Sequence, residues 1–162
     1  MDYLRALFEG LGFSNVETLI ASGNVIFDSK SKNTRAIEQK IEKHLQAALG
    51  YEVATFVRAV SELGAVARYK PFGDSELDIE SPATLYIGFL AELPGEQAKQ
   101  KLLSFATEID DFHVSGREVY WLFRRKFSES GFSGALLEKT LGMKTTLRNS
   151  NTIKRIVTKY PR

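Results

Sequence analysis

The chain has 162 residues, 43% of them hydrophobic, and 22 Lys plus Arg stand against 20 Asp plus Glu. That balance excludes wholesale disorder, and the length suits one domain or two small subdomains able to bury roughly 70% of their unfolded surface. The absence of cysteine excludes disulfides, thiolate catalysis and every cysteine-based metal site.

No run approaches the ~18 apolar residues of a membrane span, and no basic-then-apolar leader is expected. The expected location is the cytoplasm, with no membrane partner. The small net charge hides an asymmetry. Residues 1–111 carry 11 basic and 17 acidic side chains, whereas residues 112–162 carry 11 basic and 3 acidic. An anionic partner would therefore meet the C-terminal third, unless its basic residues form a solvated face or attract the acidic part.

Taken in chain order, Tyr3, Leu4, Leu7, Phe8 and Leu11 sit at helical spacing, with Gly10 and Gly12 as stops. Residues 16–21 and 25–27 read as strands joined by a Ser22-Gly23-Asn24 turn. Ile37, Ile41, Leu45 and Leu49 mark a helix over 34–49, capped by Asn33 or Thr34 and ended by Gly50. Alternation over 52–58 predicts a strand, and Ser61 is placed to cap a short helix that finishes before Pro71.

Residues 73–82 hold Asp74, Glu76, Asp78 and Glu80 without a helical stripe and read as an acidic linker. Next come an apolar strand over 83–90, a helix after Pro94-Gly95, and a hairpin from 112–114 and 119–123 around Ser115-Gly116. Helices near 132–141 and 151–160 finish the chain. The expected organisation is a subdomain over 1–72, the linker 73–82, and a second subdomain over 83–162. Both resemble the β-α-β-β-α-β ferredoxin-like pattern. The first lacks its opening strand, and the second replaces its closing strand with a helix. The fold class is α+β, with antiparallel hairpins packed on helices.

Most chemical motifs fail. Gly10-Leu11-Gly12 lacks the third glycine of a dinucleotide turn and follows a helix rather than a strand. Gly131-Phe132-Ser133-Gly134-Ala135 lacks the last glycine of a nucleophile elbow. The acids of 74–80 have Ile79 and Leu85 where a calcium loop needs glycine and glutamate. No catalytic constellation, metal site or cofactor is expected.

Two binding readings remain. Thr145-Thr146-Leu147-Arg148-Asn149-Ser150-Asn151-Thr152 precedes the last helix, and its polar side chains suit N-capping, alone or together with an anion site that Arg148 completes. Basic and aromatic residues also interleave from Arg117 to Lys126, as in single-strand binding surfaces, although core packing explains Trp121 and Phe123 more simply.

Leu11-Gly12-Phe13, the run Ser22 to Phe27, Gly116-Arg117-Glu118-Val119-Tyr120, Leu136-Leu137-Glu138-Lys139 and the run Thr146 to Thr152 occur in that order. Together they resemble the bacterial DUF1697 family of uncharacterised proteins. The resemblance spans essentially the whole chain and implies a two-subdomain α+β architecture, but no activity, substrate or catalytic residue. Two departures stand out. Ser150 occupies a position where the family carries tryptophan, and the family's opening strand and Arg-Gly-Ile-Asn-Val-Gly-Gly loop are not found. The expectation is an N-terminally shortened chain whose incomplete first sheet self-associates, rearranges, or is completed by residues of the natural protein outside this sequence.

The first functional reading is a binding protein for a small anionic or nucleotide-like ligand, held by Ser22, Gly23, Asn24, Arg148, Asn149, Asn151 and Thr152. The alternative is nucleic-acid binding through Arg124, Arg125, Lys126, Lys154, Arg155 and Lys159. A third is an enzyme that needs the N-terminal loop.

Overall fold

A computed structural model describes residues 2–19, 24–69, 84–107, 110–123 and 133–160. The chain divides into two compact units, Met1–Val57 and Arg58–Arg162. The fold is α+β.

The N-terminal unit runs α1 (Asp2–Gly10), β1 (Ser14–Leu19), β2 (Asn24–Asp28) and α2 (Thr34–Leu49). Gly12, at φ +90°, makes the left-handed turn between α1 and β1 that a side chain would resist. Phe8, Phe13, Val16, Ile37, Ile41 and Leu45 form its core, supported by Val25 and Phe27 of β2. Asn33 caps α2 by accepting the Ala36 N–H at 3.1 Å, and Gly50 ends it at φ +81°. β1 and β2 pair antiparallel, with Glu17 opposite Ile26, and among the described residues they are the whole sheet of this unit. Of the expected turn between them, Ser22 and Gly23 lie outside the described residues, and Asn24 opens β2.

The strand expected over 52–58 does not form. The segment finds its hydrogen bonds on a helix instead. Thr55 N–H donates to Glu42 at 3.0 Å and Val57 N–H donates to Glu38 at 2.8 Å, so carboxylates one turn apart on α2 meet alternate residues. Among the described residues, no strand pairs with this segment. In a β-α-β-β-α-β unit the closing strand pairs with the opening one, and the described part of this unit begins with a helix.

The C-terminal unit contains α3 (Val60–Arg68), β3 (Thr84–Leu90), α4 (Glu96–Leu103), β4 (Asp110–Ser115), β5 (Glu118–Phe123), α5 (Gly134–Leu141), β6 (Thr145–Asn149) and α6 (Ser150–Lys159). α3 therefore groups with these strands, while the expected linker 73–82 lies outside the described residues. Ser61 does not cap α3. The helix begins one residue earlier, and the Glu62 carboxylate accepts the Ala59 N–H at 2.9 Å.

The sheet order is β4-β5-β3-β6, with every pair antiparallel. This corrects the expectation that a helix replaces the closing strand: β3-α4-β4-β5-α5-β6 is a complete β-α-β-β-α-β unit, and α6 is an addition to it. The run 145–149 becomes a strand because β3 offers it a ladder and Gly88 leaves it room. A Cβ at Gly88 would stand 2.9 Å from Thr145 Cγ2 and 3.3 Å from Leu147 Cδ2.

Strand alternation divides the sheet into two faces. Leu90, Phe112, Val114, Val119, Trp121 and Phe123 face α4 and α5, where Leu102, Leu137 and Leu141 complete the core. Trp121 Nε1 donates to the buried Asp110 carboxylate at 2.9 Å, satisfying the one polar atom of the ring. The second face carries Leu85, Ile87, Phe89, Tyr120 and Leu122, all buried. α3 packs beside α6, and α6 also contacts β3 and β6.

Candidate functional site

A single transverse row crosses all four strands of the second face. His113 pairs with Tyr120, Tyr120 with Ile87, and Ile87 with Arg148. One end of the row is aromatic and the other is cationic. Tyr69, just past the end of α3, joins the aromatic end. Its hydroxyl lies 2.7 Å from His113 Nε2, and its ring meets Tyr120 edge-on at 5.1 Å between centroids. Burial, with the Glu118 and Tyr69 charges adding to it, pushes the Tyr120 hydroxyl pKa well above the usual tyrosine value. It therefore remains a neutral hydroxyl at physiological pH.

At the other end Arg148 Nη1 donates to Thr146 Oγ1 at 2.6 Å and to the Leu147 carbonyl at 3.0 Å. Burial lowers its pKa, but an arginine keeps its proton throughout the working range. The guanidinium is thus an oriented, half-buried cation.

Beside the middle of the row opens a crevice of about 450 Å³. Leu85 and Ile87 make its apolar floor, Val66 to Tyr69 form one wall, and Ser150 and Lys154 of α6 form the other. The Arg68 guanidinium lies back over Gly64, where an added Cβ would stand 3.1 Å from Nη1. Two cationic side chains and one aromatic ring therefore border an apolar floor, the composition of a small-ligand pocket.

The sequence-predicted ligand residues fare unevenly. Arg148 stands one strand over, opposite Ile87 of the crevice floor, and is not itself part of the lining. Asn149 is the N-cap of α6, accepting the Asn151 N–H at 2.9 Å, so its amide serves the helix. Asn151 is exposed in the first turn of α6 and Thr152 is half-buried there, and neither lines the crevice. Asn24 belongs to the N-terminal unit, and Ser22 and Gly23 lie outside the described residues.

Of the nucleic-acid set, Arg124, Arg125 and Lys126 lie outside the described residues, whereas Lys154, Arg155 and Lys159 are exposed on α6. Ser133, tested above as a nucleophile, caps α5 by accepting the Leu136 N–H at 3.1 Å. Among the described residues no three His, Cys, Asp or Glu side chains gather as a metal site, and no helix is long and apolar enough to cross a membrane.

Sequence reasoning missed Arg68, Tyr69 and the floor residues. The available signal was the pairing of a cation with an aromatic residue at the end of α3, Arg68-Tyr69, on a helix otherwise rich in small apolar residues.

The family model described as a protein of unknown function, DUF1697, matches residues 1–120. The chain belongs to this family. Tyr69, Ile87, His113 and Tyr120 fall within the matched residues, while Arg148, Ser150 and Lys154 follow them. The fold is also similar to a solved structure of the conserved bacterial protein SP0830 from Streptococcus pneumoniae. The TM-score is 0.76 at 19% identity, covering 100% of this chain and 89% of that one. At that identity the likeness is one of fold. No curated protein sequence matches the chain.

Proposed function

We propose that this DUF1697 protein is a cytoplasmic binding protein for a small anionic, nucleotide-like ligand, taken into the crevice between α3, β3 and α6. The observation that carries the reading is the joining of Arg68 and Lys154 to an apolar floor in a volume of about 450 Å³, with Arg148 on the adjoining strand. Arg68 and Lys154 are exposed and Arg148 is half-buried, and a half-buried cation holds an anion more strongly than the same cation on an open surface, because the local dielectric is lower. The lack of cysteine suits a reducing compartment.

The test is a thermal-shift panel of nucleotides and sugar phosphates. A ligand at a hundred times its Kd stabilises by about 2.7 kcal/mol, which raises Tm by roughly 5–10 °C for a chain of this size. Lys154→Ala and Arg148→Ala should each shrink the rise. No shift across the panel overturns the reading.

A second reading rests on the exposed face of α6, where Lys154, Arg155 and Lys159 stand with Asn151 and Thr158. If that face binds duplex DNA, log K should fall against log salt with a slope of about −0.9 per phosphate neutralised. Absence of binding at low salt removes it. Self-association rests on the two-stranded sheet of the N-terminal unit. Sedimentation as a monomer overturns that expectation.

A further inference from the structure

The anion reading leaves open what the rest of the ligand is, and the aromatic end of the row bears on it. Tyr69 is 40% exposed, yet its ring is held at the hydroxyl by His113 and along its edge by Tyr120. An exposed aromatic ring fixed by two partners loses little further freedom when a planar group lies against it. The same ring borders the crevice whose floor is Leu85 and Ile87.

Two of the three cations stand apart from it, while Arg68, on the same wall as Tyr69, turns its guanidinium back over Gly64. Lys154 rises from α6, and Arg148 sits across Ile87 from Tyr120 in the transverse row. Two strand spacings separate Tyr120 from Arg148, which is roughly 10 Å. The site is thus polar along its length, with a flat apolar surface at one end and positive charge at the other. A small inorganic anion would use only the second end.

We propose that the crevice is a mononucleotide site, in which Tyr69 stacks on the base while Lys154 and Arg148 hold the phosphate. The proposal rests on the anion reading and adds the planar ring to it. Stacking on an aromatic side chain favours a base without demanding a particular one, because every base presents a π-face. The charged end supplies charge-assisted hydrogen bonds to a single phosphate group.

The test compares AMP with ribose 5-phosphate by calorimetry on the full chain, since the two share sugar and phosphate and differ by the base. AMP should bind at least about tenfold more tightly. Tyr69→Leu should erase that preference and leave ribose 5-phosphate binding as it was, whereas Tyr69→Phe, which keeps the ring, should keep the preference. Equal binding of the two compounds overturns the base platform and leaves the anion reading standing. A preference that survives in Tyr69→Leu overturns the assignment to Tyr69. Binding of neither compound overturns the anion reading and this inference together. If Tyr69→Leu does not fold, the comparison on the unaltered chain, with Tyr69→Phe, decides.

Discussion

Arg58 Nε lies 2.9 Å from Glu118 Oε2, and the arginine side chain is only 3% exposed. The same guanidinium donates Nη2 to the Leu90 carbonyl at 2.7 Å and to the Arg117 carbonyl at 3.0 Å, and it stands over the Phe89 ring. One buried cation thus ties the end of β3 to the β4–β5 turn and to the first residue of β5. The Nε hydrogen and both Nη2 hydrogens have acceptors, and such pairing is the condition under which a buried charge is tolerated.

Arg58→Leu should therefore lower unfolding stability by about 3–5 kcal/mol, because it leaves Glu118 without its buried partner. Arg58→Lys should recover only part of the loss, since one ammonium does not reproduce the fork that reaches three acceptors. Chemical denaturation reads both, and a Leu variant as stable as the parent would contradict the buried-pair account.

Gly88→Ala tests why the closing strand lies where it does. The new methyl would meet Thr145 Cγ2 at 2.9 Å and Leu147 Cδ2 at 3.3 Å. Both belong to β6, so the clash should push that strand outward. A loss of about 1–3 kcal/mol is expected, as for other overpacked cores. Hydrogen exchange should show the change at 145–149 before it appears elsewhere in the sheet.

Glu38 is fully buried and accepts the Val57 N–H at 2.8 Å on one oxygen and an Arg35 Nη1–H at 3.1 Å on the other. Glu38→Leu should cost roughly 1.5–3 kcal/mol, the range for a hydrogen bond to a charged group. Glu38→Gln keeps an acceptor for Val57 and should cost less. Equal losses in the two variants would show that packing, not the acceptor, holds the 53–57 segment to α2.

Tyr120 predicts an alkaline limit. Its folded pKa is raised, chiefly by burial, so the folded state holds the phenol proton more tightly than the unfolded chain does. The stabilisation is complete below the unfolded value of about 10 and declines as pH climbs from there toward the folded pKa. Ultraviolet titration of the six tyrosines should show one that resists ionisation until the chain unfolds. In Tyr120→Phe that late step should vanish and the alkaline loss of stability should be smaller.

The sequence by itself determined the elements whose pattern is local. The four-residue spacing of Ile37, Ile41, Leu45 and Leu49 and the Asn33 and Gly50 caps mark α2, and the apolar run over 83–90 with the Ser115-Gly116 turn marks three of the four strands of the second sheet. The ordered motifs from Leu11 to Thr152 carried the family. Capping in the run before α6 was legible too: Asn149 acts as an N-cap because its short polar side chain reaches a nearby N–H with no help from the rest of the fold.

Tertiary structure alone decided two segments and the site. Residues 145–149 look like a polar helix approach, yet they form a strand because β3 lies alongside and Gly88 admits them. Residues 52–58 alternate like a strand, yet among the described residues no strand pairs with them, and the Thr55 and Val57 N–H groups turn to Glu42 and Glu38. A ladder needs two partners, and alternation describes only one of them. The candidate site has the same origin. Tyr69, His113, Tyr120, Ile87 and Arg148 come from five separate elements or their ends, and only strand register and the docking of α3 beside α6 bring them to one face.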